Sequence, residues 1–150
     1  MKKTITVVTG GHGGMGKAIC KELGKTSVIV LAGRNLAKME AAKAELDELG
    51  VESHLCKTGI ADRPQVQALA DFAASLGDVT QVIHTSGVSP TEENIIRINA
   101  VGTVNMVGGV LPGFGRGRRD DQFFLRRGLH HAADGRMDAG LRVMERAGFL

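Results

Sequence analysis

The stretch Thr9-Gly10-Gly11-His12-Gly13-Gly14-Met15-Gly16 sets the fold expected of this chain. It stands between an apolar run, Ile5-Thr6-Val7-Val8, and a helical pattern from Lys17 to Leu23. A strand that turns through glycines into a helix gathers backbone N–H groups and the positive end of a helix dipole at one point, which suits a diphosphate. Glycine is required where a side chain would keep the ligand, or the helix, from closing on the strand. A glycine-rich turn alone is equally compatible with a purely structural bend, so the surrounding sequence has to carry the reading.

Outward from that turn, strand and helix patterns alternate. Ser27-Val28-Ile29-Val30-Leu31-Ala32 is a β-rich run of the kind buried on both faces. Asn35 caps a helix to about Leu49, with Leu36, Met39, Leu46 and Leu49 on or near one face and Gly50 as its stop. Val51 to Lys57 is a weaker third strand. Asp62 and Gln65 form a capping box, Pro64 fits the first turn, and Val66, Leu69, Ala70, Ala73 and Leu76 follow at helical spacing up to Gly77. Val79 to Thr85 is a fourth strand. Ser89-Pro90-Thr91-Glu92 reads as a second capping box, opening a helix with Ile95, Ile96, Ile98 and Val101 that extends to about Val107. Four alternations with short connections predict an α/β fold, a doubly wound parallel sheet of Rossmann type.

Composition changes after residue 108. The chain has 150 residues, is 43% apolar and carries a net charge of +3. That length supports one domain with a core. Residues 1–108 balance eleven basic against eleven acidic side chains, whereas 109–150 hold eight arginines against five acids and no lysine beyond Lys57. We therefore divide the chain into a Rossmann-type unit, 1–108, and an irregular Gly/Arg-rich tail, 109–150, without helical or strand period. Cys20 and Cys56 share no metal-ligand spacing and are expected as free, buried thiols, Cys20 within the core. The short pattern after Met1-Lys2-Lys3 does not make a signal segment, and no run reaches the length of a membrane span, so a cytoplasmic protein is expected.

Residues 1–108 resemble the N-terminal half of the short-chain dehydrogenase/reductase family. Thr9-Gly10 … Gly14-x-Gly16 matches the glycine motif of its classical members, and Gly10 … Gly13 … Gly16 also fits the extended, epimerase-like members. His84-Thr85-Ser86-Gly87 stands where classical members carry Asn-Asn-Ala-Gly; the histidine leans toward the extended type. Arg97-Ile98-Asn99-Ala100-Val101-Gly102-Thr103-Val104-Asn105 matches the fourth-helix segment, with Asn99 at the family's functional asparagine. The resemblance implies an NAD(P)-dependent oxidoreductase that transfers hydride between the nicotinamide and a carbonyl or alcohol carbon. It implies a small-molecule substrate and, for intact members, a homo-oligomer. It places the cofactor against Gly10, His12, Gly14, Met15, Gly16, Arg34 and Gly87.

The choice of cofactor follows from charge. An NAD site sets a carboxylate at the end of the second strand, against the ribose 2′-hydroxyl, and that carboxylate repels a 2′-phosphate. Here the position is Gly33, followed by Arg34, whose guanidinium suits a phosphate. NADP is expected over NAD. After the third strand the family often has an aspartate near the adenine; this chain has Gly59, and Asp62 is better read as a helix cap. His12 either grazes the cofactor or faces solvent. His84 is expected to be packed rather than catalytic, and His130-His131 lacks a third ligand for a metal.

By resemblance, the chemistry needs a tyrosine as general acid/base, a lysine four residues later that lowers the tyrosine's pKa, a serine and the asparagine. The chain contains no tyrosine and no lysine after Lys57, so only Asn99 of that set is expected. Shifting the frame one base forward through Asp120-Asp121-Gln122-Phe123-Phe124-Leu125 permits, with codons chosen to fit, Ala-Met-Ile-Asn-Phe-Ser-Ser, which resembles the family's fifth strand and serine segment. Hence the hypothesis that the sequence from roughly Pro112 onward is out of frame; coding DNA with no shifted frame containing Tyr-x-x-x-Lys would sink it. The same reasoning expects the fourth strand to lack a neighbour on its outer edge, leaving the fragment marginally stable and prone to aggregate. Competing readings are a non-catalytic NADP(H)-binding module, half of an extended-type member, and an arginine/glycine RNA-binding segment at Gly113–Arg119. Interleaved acids argue against the last, and nucleic acid is not an expected partner.

Overall fold

The structure is a computed structural model that describes residues 3–87 and 96–110, together with the backbone of Gln122–Leu125. Its elements run β1 (Thr4–Thr9), α1 (Gly14–Leu23), β2 (Val28–Gly33), α2 (Leu36–Glu48), β3 (Ser53–Lys57), α3 (Arg63–Leu76), β4 (Asp78–His84), a π-helical turn (Arg97–Val101), α4 (Gly102–Val110) and β5 (Gln122–Leu125). All strand pairs are parallel, in the order β3-β2-β1-β4-β5. The anticipated four-strand parallel arrangement is present, and the helices pack on both faces of the sheet.

Strand alternation makes the two cores. Ile5, Val7, Val28, Val30, Ala32 and Val82 point to one face, under α3 and α4, where Val66, Leu69, Ala73 and Met106 cover them. Val8, Ile29, Leu31 and Ile83 point to the other, against Cys20 of α1 and Ala42 and Leu46 of α2. With both faces covered, β1 and β2 read as continuous apolar runs because nearly every position is buried. Cys20 lies fully in the second core, and burial pushes its thiol up to about 12. Cys56 is only half-buried.

The helix boundaries follow local chemistry. Asn35 accepts from Lys38 N–H at 3.0 Å and caps α2, while Gly50 at φ +72° takes the left-handed turn that releases the chain from it. Asp62 caps α3 by accepting from Gln65 N–H, and the Gln65 amide returns to Asp62 Oδ2 at 2.9 Å.

Three expectations need correction. Gln122–Leu125 pair with Gln81–His84, so the outer edge of β4 is not bare there, and four residues of the tail form a strand. Gly109 and Val110, placed in the tail, instead close α4 and are buried there; residues 111–121 and 126–150, and the capping box at Ser89–Glu92, lie outside the described residues. In α2, Leu36 and Leu49 are exposed, Leu36 as the first residue of the helix and Leu49 as its C-cap; Met39, Ala42 and Leu46 make the buried stripe. The fourth helix buries Gly102, Asn105, Met106, Gly109 and Val110, while Ile96, Val101 and Val104 are exposed. Its inner face is the one lined with glycine: a Cβ on Gly102 would lie 2.7 Å from Ile60, and one on Gly109 would lie 2.8 Å from Val66. Close approach to α3 selects the small face over the larger apolar one.

Candidate functional site

The carboxyl ends of β1, β2, β3 and β4 end at one rim, and the chain reverses its direction across the sheet between β1 and β4. Open α/β sheets place their ligand crevice at such a switch point. Here it holds a cleft of about 790 Å³. The wall from β1 and β2 presents Gly10, His12, Gly13, Gly33, Arg34, Leu36 and Lys38; the loop after β3 presents Thr58–Ala61; the end of β4 presents Thr85, Ser86 and Gly87, faced by Ile98. Among these described lining residues there is no aspartate or glutamate.

The glycine turn is held by backbone contacts. Gly10 sits at φ +71° and donates to Ala32 O at 2.9 Å; a Cβ there would come within 3.1 Å of Ser86 N. Gly16 opens no space to the cleft. It lets α1 press on the turn: a Cβ on it would overlap the Gly10 carbonyl oxygen and lie 2.7 Å from Gly11 Cα. α1 begins without a side-chain cap, since Gly13 stands where α2 has Asn35 and α3 has Asp62. A glycine at that position leaves backbone rather than a capping side chain at the helix start.

Of the residues anticipated at the site, Gly10, His12, Arg34 and Gly87 line the cleft. Gly14, Met15 and Gly16 are in the first turn of α1 but do not line it. Asn99 lies on the π-helical turn beside the cleft; a Cβ on Gly87 would lie 3.3 Å from its Oδ1. His12 does not face solvent freely. Its ring packs on Gly33, whose added Cβ would be 3.2 Å from both Cε1 and Nδ1, and Nδ1 is shut from water with no hydrogen-bond partner among the described residues. Burial, then the Lys38 charge, holds its pKa below the ordinary 6.5. Lys38 was not anticipated. The signal was available: it stands four residues after Arg34, so a chain entering a helix at Asn35 brings both cations to one rim.

The β4 side is a directed hydrogen-bond network. Ser86 N–H donates to Thr9 Oγ1 at 3.4 Å; Thr9 Oγ1 and His84 Nδ1 are 2.6 Å apart; His84 Nε2 and Thr103 Oγ1 are 3.2 Å apart; Thr103 donates to Asn99 O at 2.7 Å. Thr103 has one proton and gives it to the Asn99 carbonyl, so His84 Nε2 must be the donor and Nδ1 the acceptor from Thr9. A neutral ring satisfies this, and burial lowers the His84 pKa to about 4. His84 is thus the packed residue expected, bonded to two threonines rather than to backbone. It ties the glycine turn to the Asn99 turn. Asn105 adds a second tie, donating to Ile60 O at 3.0 Å in the loop that lines the cleft.

Residues 4–120 match the family model for short chain dehydrogenase. The chain belongs to the short-chain dehydrogenase/reductase family. It is 30% identical over 151 aligned residues to a glycine betaine reductase of Emericella nidulans, covering 93% of this chain and 11% of that protein. It is 28% identical to an uncharacterized oxidoreductase of Listeria monocytogenes, covering 76% and 51%. Among solved structures it is similar to an actinorhodin polyketide ketoreductase with NADPH (TM-score 0.68, 21% identity, covering 74% of this chain and 47% of that one). It is equally similar to a family member from Burkholderia phymatum in complex with NAD (TM-score 0.68, 23% identity, covering 75% and 44%). The chain thus spans from about a tenth to about half the length of these curated relatives. Its fold is that of NAD(P)-binding family members. Among the described residues no helix is long and apolar enough to cross a membrane.

Proposed function

We propose that this chain binds NADP(H) in preference to NAD(H) and supplies the dinucleotide half of a short-chain oxidoreductase without itself completing hydride transfer. The observation that carries the cofactor reading is the charge of the cleft: Arg34 and Lys38 line it with no carboxylate among the described lining residues. A 2′-phosphate gains from the Arg34 and Lys38 cations, whereas the ribose hydroxyl of NAD finds no carboxylate among those residues to accept its hydrogen bond. A side chain at position 33 would come within 3.1 Å of Met39 Sδ and 3.2 Å of the His12 ring, so the packing itself disfavours an acid there.

The residues present fit a dinucleotide. Gly10 and Gly13 would leave the diphosphate room at the uncapped start of α1, and Arg34 with Lys38 would hold the 2′-phosphate. Thr58–Ala61 would border the adenine, and Gly87 with Asn99 would stand at the nicotinamide end. The cofactor supplies a hydride donor or acceptor when bound. The chain orients it but holds no tyrosine to exchange a proton with a substrate oxygen, and no lysine after Lys57. Carbonyl or alcohol substrates and self-association belong to the same proposal for the complete protein.

Titration of NADPH and NADH fluorescence against the chain tests both parts. Binding at least about tenfold tighter for NADPH, equivalent to about 1.4 kcal/mol, is the expected result. Equal affinities, or tighter NADH, would overturn the cofactor reading. Steady consumption of NADPH with a carbonyl panel would overturn the non-catalytic part.

A further inference from the structure

Resting on the NADP(H) reading, we infer that His12 is a specificity-determining residue that takes up a proton when a ribose 2′-phosphate docks beside Arg34 and Lys38. The geometry sets this up. His12 leaves the glycine turn and lays its ring on Gly33, at the place where an NAD-type carboxylate would begin. Nδ1 is enclosed and unpartnered. No hydrogen bond among the described residues holds Nε2, so that nitrogen remains for a ligand in the cleft His12 lines.

The charges facing His12 are cationic. Lys38 acts on it from α2, Arg34 shares the rim from the end of β2, and no carboxylate figures in its electrostatic surroundings. In the free protein those surroundings and burial favour the neutral ring. A phosphate dianion reverses the sign of the local field, and the ring then gains a charge-assisted hydrogen bond by protonating. The proton comes from solvent and no covalent bond changes. By linkage, binding that takes up a proton weakens as pH rises. NADH carries no 2′-phosphate and should show none of this. The phosphate's own proton works in the opposite direction, because cations drive it off, so a variant without the imidazole is the necessary reference.

The test is isothermal titration of the full chain with NADPH and NADH at about pH 6 and pH 8, in buffers of differing ionisation enthalpy, for wild type and His12→Asn. We expect wild type to take up more protons than His12→Asn on binding NADPH, with no difference on binding NADH. We also expect His12→Asn to lose about tenfold in NADPH affinity at pH 6 and little at pH 8. If His12→Asn does not fold, NMR titration of the wild-type imidazole decides: its pKa must rise on adding NADPH and not on adding NADH. NADPH binding with no wild-type/variant difference in proton uptake, or with an unmoved imidazole, would overturn this inference alone. Failure of both dinucleotides to bind would overturn the cofactor reading and this inference with it.

Discussion

The two walls of the cleft rise from the same rim of the sheet and treat their polar groups in opposite ways. On the β1–β2 side, Arg34 and Lys38 are exposed and form no ion pair among the described residues, and α1 starts on a glycine with no side-chain cap. On the β4 side the polar groups are committed to one another, from Ser86 N–H through Thr9, His84 and Thr103 to the Asn99 carbonyl. The first wall keeps charge available for a ligand. The second uses neutral hydrogen bonds to fix where a loop and a helical turn stand. Binding capacity and positioning are thus built separately, and substitutions should separate them.

Gly16→Val should have the largest effect, because it attacks the first wall through backbone. Its Cβ has nowhere to go: the Gly10 carbonyl and Gly11 Cα would both have to move. We expect a destabilisation of about 3 kcal/mol, the upper end for overpacking, and loss of dinucleotide binding, read by thermal unfolding and NADPH titration. Unchanged NADPH affinity would mean that the turn is not the cofactor's seat. Arg34→Ala should come next and spare the fold. The side chain is exposed, so melting should not change, while NADPH affinity falls about tenfold or more through loss of a charge-assisted contact of about 1.5–3 kcal/mol. NADH affinity should hold. An equal fall for both would assign Arg34 to the shared diphosphate and blur the distinction between the walls.

The second wall is tested through His84. His84→Leu removes the ring that joins Thr9 to Thr103 and should cost about 1–3 kcal/mol, with urea unfolding as the measurement. The pH dependence is more specific. The native ring, at about 4, resists the proton that an unfolded ring accepts near 6.5. The unfolded state therefore binds more protons in that interval, and stability present above 6.5 is lost as pH falls toward 4. Wild type should lose more stability than His84→Leu over that window. Parallel curves would show that the native ring is protonated and the assigned tautomer is wrong.

Sequence carried the architecture further than it carried the site. Apolar runs, Asn35, Asp62 and Gly50 mark elements by local chemistry, so strand and helix order was legible within a few residues. The burial pattern of α4 was not, because it depends on how closely Gly102 and Gly109 approach Ile60 and Val66, a property of two elements at once. In the same way, Gly10 and Arg34 were legible as motif positions, whereas Lys38 required knowing which way α2 leaves the rim. The enclosure of His12 depends on Gly33, twenty-one residues away in sequence. The pairing of β5 with β4 was missed because Gln122–Leu125 sit in a stretch whose composition carries no strand period.

A smaller effect sharpens the comparison at the floor between the walls. Gln65 does two things at once: its amide nitrogen donates to Asp62, and its Oε1 accepts from Gly59 N–H at 2.7 Å. The cap of α3 therefore also holds the loop that would border the adenine. Asp62→Ala should cost about 1 kcal/mol, as lost N-caps do, measured by urea unfolding. Freed of its anchor, Gln65 holds Gly59 less firmly, so NADPH and NADH affinities should fall together by a few-fold at most. Their ratio should not move, because Arg34 and Lys38, the cations proposed for the 2′-phosphate, stand at the start of α2 and not on α3. A changed ratio would mean that charge recognition and loop positioning are coupled across the cleft, and that its two walls act as one.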